Sequence, residues 1–461
     1  MSQPLTTTPL FVKIMYSLGQ AGWSLVNASL MLLLIYFYIP PGEGVFPEFI
    51  ERKIVFLSFT TVGMLMFFGT VISAIFDILM GPISDKSRFR FGRRRTFLAI
   101  AFIPITIFAI MSFFPIVDGK SPINAVWLAI GVIGFNIFLS VYVTPFNGLI
   151  AELGHTQNDR VLLSTLLAVT WGVGMVGANS VFALKGVVAN YFEISGTQAF
   201  QYLILLFSII AMILMLMPII FVNEDKYCLK SDPVDGHPFQ QMKEILQIDN
   251  FRNYMWVELF YWFSTHFIQL GIAYYVMVLL KLEEEFTTLV IVGAAVFTFL
   301  SFPLVIPLTK KFSQRTLLII AFISFTLLFV FVLILGKISL PIWAVAAIII
   351  LLNTFPMAVF GIIPMSLVSD MATEDALKTG KYRSASFFGV KFFVMKLGIS
   401  MTSLLFPTLL LYGNSIDNDL GVRLTALVGM IGSIIALLLM YRVRNPQLAE
   451  EVQPIKQTTH L

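Results

Sequence analysis

Twelve long apolar runs divide the chain, and they limit its possible folds more than any other feature of the sequence. Each run has about twenty residues or more, the length that an α-helix needs to cross roughly 30 Å of hydrocarbon. The runs are continuous, whereas strands of a membrane barrel are short and alternate between polar and apolar residues. We therefore predict an all-α polytopic membrane protein with twelve transmembrane helices, near residues 12–38, 55–80, 96–115, 125–150, 161–188, 200–222, 255–280, 287–308, 316–335, 341–367, 384–411 and 423–441.

The composition also indicates that lipid is the solvent. Hydrophobic residues make up 58% of the 461 residues, charged residues make up 12%, and the mean hydropathy is +0.88. A soluble core of this size cannot hide so much apolar surface. The single cysteine, Cys228, excludes an intrachain disulfide framework. The sequence contains no nucleotide-binding loop or hydrolase motif, so we predict no enzyme activity, no metal site and no cofactor other than a coupling ion.

Lysine and arginine residues indicate the orientation. If both termini are cytoplasmic, twenty-one of the 30 fall in inside segments, seven fall outside, and two lie within a span. Such an excess is typical of cytoplasmic loops. We expect cytoplasmic termini in a cell membrane, the inner membrane in a bacterium, and no cleaved signal peptide. The expected partners are a small solute, a cation and the bilayer, with no nucleic acid, and we expect the monomer to be functional.

A polar break from Asn223 to Asn253 divides the spans into six and six. Basic turns follow both the second and the eighth span, as a weak internal repeat. Two six-helix halves with substrate bound between them are similar to the architecture of the major facilitator superfamily. We predict an amino-terminal bundle over 1–222, a cytoplasmic linker over 223–253 and a carboxyl-terminal bundle over 254–461.

The turn after the second span is strongly basic and resembles the signature loop of that superfamily. Physically, an acid at the end of one helix and arginines at the start of the next can form a charge latch that opens as the halves move. A plain positive-inside loop is the alternative, and it explains the arginines but neither the acid nor the two glycines. The predicted gating residues are Gly81, Asp85, Arg88, Gly92, Arg93 and Arg94.

Four segments in order resemble elements of the glycoside-pentoside-hexuronide:cation symporters, the family of melibiose permease. Residues 15–22 resemble the opening of its first helix, and residues 80–93 resemble its second-helix loop. Residues 144–160 resemble the fourth-helix element, and residues 369–398 resemble the element that enters the eleventh helix with its spacing kept. The resemblance covers nearly the whole chain and implies transport of a solute together with a cation.

In that family, carboxylates on the second helix and a lysine on the eleventh couple solute to sodium, lithium or protons. Asp77 matches the inner acid, Lys396 matches the lysine, and Ser73 stands one turn before Asp77 where the family has a second acid. An unpaired carboxylate at mid-membrane costs about 2.5–3.5 kcal/mol on insertion scales. We therefore expect Asp77 to pair with Lys396 or to bind a cation. The alternative is a permanent bridge that holds the halves together, and both sodium and protons fit the site.

The sugar-binding positions of the family are not preserved. Its two acids fall on Ser24 and Val143, and its stacking ring falls on Asn147. Polar residues in spans are candidates for the substrate cavity, although for any single residue an interhelical hydrogen bond worth roughly 0.6 kcal/mol is the favoured explanation. Lys391 either lines the cavity or pairs with Glu258. The cavity candidates are Gln20, Ser24, Asn27, Asn147, Glu258, His266 and Lys391.

These patterns predict a secondary active transporter that carries a small sugar or glycoside with Na⁺ or H⁺ by alternating access. A lysolipid carrier of the same fold is the first alternative, because the sugar-binding acids are missing. A membrane receptor that does not transport is the second. Retention of Asp77 and Lys396 argues against a receptor, which has no need of a costly charge pair.

Overall fold

The computed structural model describes residues 8–42, 46–51, 59–87, 89, 91–228, 238–338, 340–379 and 383–445. These residues form helices joined by short turns, and no strand occurs among them. Twelve of the helices are long and apolar enough to cross a membrane. The predicted all-α fold with twelve spans is confirmed.

We number the membrane-spanning helices in chain order. The first and the seventh each contain a short π-helical turn near one end, at Ser29–Leu33 and at Tyr275–Leu279. The spans are α1 Leu10–Tyr38, α2 Thr61–Lys86, α3 Arg95–Phe113, α4 Pro122–Leu153, α5 Gln157–Asn179, α6 Gly196–Phe221, α7 Asp249–Leu279, α8 Glu285–Lys311, α9 Gln314–Ile334, α10 Ile342–Thr379, α11 Ser384–Leu410 and α12 Leu420–Met440.

Several spans begin at a side chain that accepts a backbone hydrogen bond. Thr60 caps α2 by accepting from the amide of Gly63, and Ser313 caps α9 by accepting from the amide of Thr316. Ser195 and Gln198 form a reciprocal capping box at the start of α6. Prolines within the spans, such as Pro145 in α4, are tolerated because neighbouring helices and side chains satisfy the freed backbone groups.

Several predicted boundaries differ from the observed helices. The fifth run ends at Asn179, and a separate short helix, Val181–Phe192, follows it. Ser180 turns the chain there, because its amide bonds back to two carbonyls and its hydroxyl donates to the carbonyl of Gly177. Helix α7 begins at Asp249, inside the predicted linker. Helix α10 extends beyond the predicted end at residue 367 and stops at Thr379. Residues 55–58 of the second run lie outside the described residues.

The helices pack as two groups of six. In the first group α1 packs against α5 and α6, and α4 packs against α2 and α3. In the second group α7 packs against α11 and α12, and α9 packs against α10 and α12. Glycine allows the closest approach between α1 and α6, since a Cβ at Gly22 would lie 2.6 Å from the carbonyl oxygen of Ala211.

Hydrogen bonds between the halves close one side of the protein. We call this side the distal face, because it lies opposite the side where α1 begins and α12 ends. The Tyr274 hydroxyl donates to the carbonyl of Ile39 at 2.6 Å, and the Asn414 amide donates to the carbonyl of Pro40 at 2.7 Å. Nearby, Lys185 forms an ion pair with Glu284. The halves are therefore held together at the distal face.

The segment between the halves lies on the other side, which we call the terminal face. Its described part contains two short helices, Glu224–Tyr227 and Pro238–Leu246. The second of these contacts the start of α11, where Arg383 pairs with Glu244 at 3.1 Å. This second part of the linker is thus anchored to the carboxyl-terminal half.

Candidate functional site

The charged pair expected between the second and eleventh spans is present. The ammonium of Lys396 lies 2.5 Å from Oδ2 of Asp77 and 2.6 Å from Oγ of Ser73. Asp77 is 27% exposed and Lys396 is 19% exposed, so neither side chain is fully buried. Because α2 and α11 belong to different halves, this ammonium joins the two halves near the middle of both helices.

Two hydroxyls of α4 complete the surroundings of the pair. Ser140 lies 2.8 Å from the Ser73 hydroxyl, and Thr144 donates to Oδ1 of Asp77 at 3.2 Å. Helices α2 and α4 each contribute two side chains one turn apart, which places each pair on one face of its helix. We call Ser73, Asp77, Ser140, Thr144 and Lys396 the coupling cluster. Sequence reasoning missed Ser140 and Thr144, although Thr144 begins the fourth-helix element and their spacing is a usable signal.

The coupling cluster presents oxygen atoms of the kind that bind cations. Its side-chain oxygens comprise one carboxylate and three hydroxyls, and hard cations bind oxygen ligands. A proton on Asp77 would remove the charge that attracts Lys396, and a metal ion would compete with the ammonium for the same oxygens. Either event weakens the contact between α2 and α11. The geometry is therefore suited to a switch controlled by a cation.

A second ion pair lies entirely within the carboxyl-terminal half. Lys391 of α11 lies 2.6 Å from Oε1 of Glu258 in α7, and the two side chains are only 3% and 1% exposed. The carboxylate also accepts hydrogen bonds from the Tyr254 hydroxyl and the Trp262 indole, both at 2.9 Å. Of the two predicted alternatives, Lys391 adopts the pairing with Glu258.

The other cavity candidates are dispersed. Gln20 and Ser24 are buried in α1, and the Ser24 hydroxyl donates to the carbonyl of Ala21 in its own helix at 3.2 Å. Asn27 is half-buried and Asn147 is exposed. The imidazole of His266 is buried and lies 3.2 Å from the Gln269 side chain and 3.4 Å from the Ser403 hydroxyl. His266 and Glu258 thus have separate partners, and their role in substrate binding stays a prediction.

The basic loop is held by carboxylates of its own half. Arg94 lies 2.7 Å from Asp85 and 3.2 Å from Glu152 at the end of α4, and Arg93 also pairs with Glu152. These contacts join α2, α3 and α4, so a latch to the other half stays a prediction.

A third carboxylate caps the start of α3. The side chain of Glu224 accepts hydrogen bonds from the backbone amides of Arg93, Arg94 and Arg95, at 2.8, 3.0 and 2.5 Å. An anion is favoured there by the unpaired amides and the helix dipole. Gly92 has a φ of +124°, which its lack of a side chain permits. Gly81 lies within α2, and Arg88 lies outside the described residues.

Replacing Asp85 with asparagine tests whether this loop affects transport. The change weakens one of the two carboxylate contacts of Arg94, and a partly exposed pair is worth about 0.5–1 kcal/mol. If the contact differs between conformations, the initial uptake rate falls about twofold to fivefold at equal membrane abundance. Asp249→Asn, which removes the exposed pair with Arg252, is the control. An unchanged rate in Asp85→Asn would leave the loop a topology determinant only.

The fold is that of the major facilitator transporters. The inward-open xylose transporter XylE from E. coli superposes with a TM-score of 0.62 at 16% identity, over 95% of this chain and 97% of that one. The nucleoside transporter NupG superposes with a TM-score of 0.67 at 10% identity, over 94% and 99%. At these identities the likeness concerns the fold alone.

The family follows from the sequence comparison. Residues 15–444 match the family described as MFS/sugar transport protein, so the chain belongs to that family. The isoprimeverose transporter of Lactiplantibacillus pentosus is 21% identical over 252 residues, and the putative glycoside/cation symporter YagG of Escherichia coli (strain K12) is 32% identical over 102 residues. The first match spans 54% of this chain and about half of the relative, 48%, and the second spans 22% and 19%.

These findings confirm the resemblance to glycoside-pentoside-hexuronide:cation symporters. They also place the chain in a family of membrane transport proteins, in agreement with its twelve long apolar helices. They do not favour a lysolipid carrier or a receptor.

Proposed function

We propose that this protein is a secondary active transporter that moves a small sugar or glycoside together with one cation. The observation that carries the proposal is a contact between the two halves. The ammonium of Lys396 in one half binds the Asp77 carboxylate and the Ser73 hydroxyl in the other. In a coupled transporter, the strength of a contact between the halves has to change when the coupling ion binds. The names of the relatives support the class of solute, since they include an isoprimeverose transporter and a glycoside/cation symporter.

The coupling cluster supplies the exchange step. A cation that reaches Asp77 displaces the ammonium of Lys396 or cancels the carboxylate charge, and the contact between α2 and α11 weakens. The halves then move relative to each other and expose the site to the opposite side. A ligand shifts such an equilibrium only by its difference in affinity for the two states. The competition between cation and ammonium provides that difference.

The orientation of the protein follows from the distribution of basic residues. With both termini in the cytoplasm, the distal face lies outside, and its hydrogen bonds close the external entrance. This conformation is then the inward-facing one. The corresponding location is the cell membrane, with the monomer as the transporting unit.

The coupling ion is sodium or a proton. Asp77 binds a proton directly, whereas sodium needs several oxygens, which Ser73, Ser140 and Thr144 supply in part. The coupling cluster has one carboxylate, and we therefore expect one cation for each solute. Separate sodium and pH gradients distinguish the two ions.

Purified protein in liposomes tests the proposal. With an inward sodium or proton gradient, labelled isoprimeverose or a related glycoside is expected to accumulate above its external concentration, and an ionophore that collapses the gradient is expected to abolish the accumulation. Reversal potentials measured over a range of gradients give the stoichiometry. Two or more cations per solute would reveal a second ion site. Movement of lysolipid without any sugar would favour the alternative carrier.

A further inference from the structure

Helix α11 carries two lysines that pair with different halves of the protein. Lys396 reaches Asp77 of the amino-terminal half, whereas Lys391 binds Glu258 of its own half. Five residues separate the lysines, which corresponds to about 140° of rotation and about 7.5 Å of rise along the helix. The two ammonium groups therefore leave the same helix in well-separated directions.

The Lys391 pair is closed to solvent and to solute. Its carboxylate already accepts hydrogen bonds from Tyr254 and Trp262, which lie one turn before and one turn after Glu258 on α7. The gap beside Glu258, lined in part by Tyr261 and Phe360, has no room for a water molecule. In this conformation no solute can reach the pair. Any effect of the Lys391–Glu258 pair on transport is therefore exerted through α7 and α11, the two helices that it joins.

Those helices are packed closely along their length. A Cβ at Gly398 would lie 2.5 Å from the carbonyl oxygen of Leu259, and the Thr402 hydroxyl donates to the carbonyl of Phe263 at 2.7 Å. These contacts lie after Lys396 on α11, and the Lys391–Glu258 pair adds a directional contact before Lys396. A buried ion pair is also weak evidence for stability, because apolar residues of similar size often serve as well.

We infer that Glu258 and Lys391 are positioning residues, whose ion pair fixes the rotation and height of α11 so that Lys396 meets Asp77 and Ser73. A rotation of about 20° would move an atom at the helix surface, about 5–6 Å from the axis, by about 2 Å. Such a shift breaks a hydrogen bond of normal length. The inference rests on the proposed function of the coupling cluster, because it states what holds the competing ammonium in place.

The double variant Glu258→Gln/Lys391→Met tests this role. Removing one partner alone would leave a buried charge and destabilise the fold, whereas removing both charges avoids that cost. We expect normal membrane abundance and a maximal uptake rate close to that of the wild type. The cation concentration for half-maximal uptake is expected to change by about threefold to tenfold, the range seen for residues that act without touching the ligand.

Ser433→Ala is the matched control. It removes a partly buried hydrogen bond of 2.9 Å with Thr326, between α9 and α12 of the same half, and is expected to keep the cation dependence of the wild type. If the double variant does not reach the membrane, Trp262→Phe replaces it, since this change removes one donor to Glu258 and keeps both charges. A smaller shift of the half-maximal cation concentration is then expected.

Two results would overturn the positioning role. An unchanged half-maximal cation concentration in a folded variant would show that α11 is positioned without the pair. Complete loss of cation dependence, with solute exchange retained, would show that the pair binds the coupling ion itself. A wild-type protein whose uptake responds to neither sodium nor protons would instead refute the proposed function, and this inference with it.

Discussion

Asp77→Asn abolishes gradient-driven accumulation of solute while leaving the protein folded and able to exchange solute. The asparagine side chain has nearly the same size and still offers an oxygen to Thr144 and Lys396, but it neither binds a proton nor carries the charge that attracts a cation. With a tenfold cation gradient and one cation per solute, the wild type accumulates solute about tenfold, corresponding to about 1.4 kcal/mol. In the variant the internal concentration stops at the external one.

The measurement is the steady-state accumulation ratio in proteoliposomes, together with counterflow of labelled solute as the test of folding. Asp419→Asn is the control, because it also weakens an ion pair, and its partner, Arg423 at the start of α12, does not belong to the coupling cluster. The control is expected to accumulate solute normally. Undiminished concentrative uptake in Asp77→Asn would refute the role of this carboxylate.

The main features of the fold were predictable because lipid imposes simple conditions. A span must be long, apolar and helical, so the count of twelve followed from the sequence alone. The same physics required a partner or a cation for Asp77, since a charge inside a span is costly, and the family resemblance implied that Lys396 is that partner. The number of helices and the need of Asp77 for a partner were thus predicted correctly, because the membrane constrains both strongly.

The remaining contacts depend on which helix faces which, and the sequence of one helix does not contain that information. Hydroxyls such as those of Ser140 and Thr144 are inexpensive in a span, because they can bond to their own backbone, and they produce no strong signal. The pairing of Lys391 with Glu258 was one of two open alternatives for the same reason.

Two further features arise from local geometry that hydropathy cannot detect. The fifth apolar run continues beyond Asn179, yet the turn at Ser180 ends the helix and frees the amide of Ala183 to bond Thr288 of the other half. The cap on α3 comes from Glu224, which lies about 130 residues further along the chain. Only the packed structure brings such distant groups together.

Lys396→Met separates a coupling switch from a permanent bridge. If the ammonium competes with the coupling cation for Asp77 and Ser73, removing it strengthens cation binding, and the half-maximal cation concentration falls about tenfold, or about 1.4 kcal/mol. The maximal rate of net uptake falls at the same time, because no internal ammonium remains to displace the cation for release. A loss of affinity and a loss of rate together would contradict competition.

The double variant Asp77→Asn/Lys396→Met also distinguishes a permanent bridge from a coupling switch. Each single variant leaves one charge without its partner, whereas the double variant has neither charge. If the pair were only a permanent bridge between the halves, the neutral double variant would therefore recover accumulation. A coupling switch needs the carboxylate itself, and accumulation stays absent however well the variant folds. Accumulation ratios and thermal unfolding of the wild type, both single variants and the double variant form a closed cycle. Recovery of stability without recovery of accumulation is the result expected for a site at which a cation and Lys396 take turns on one carboxylate.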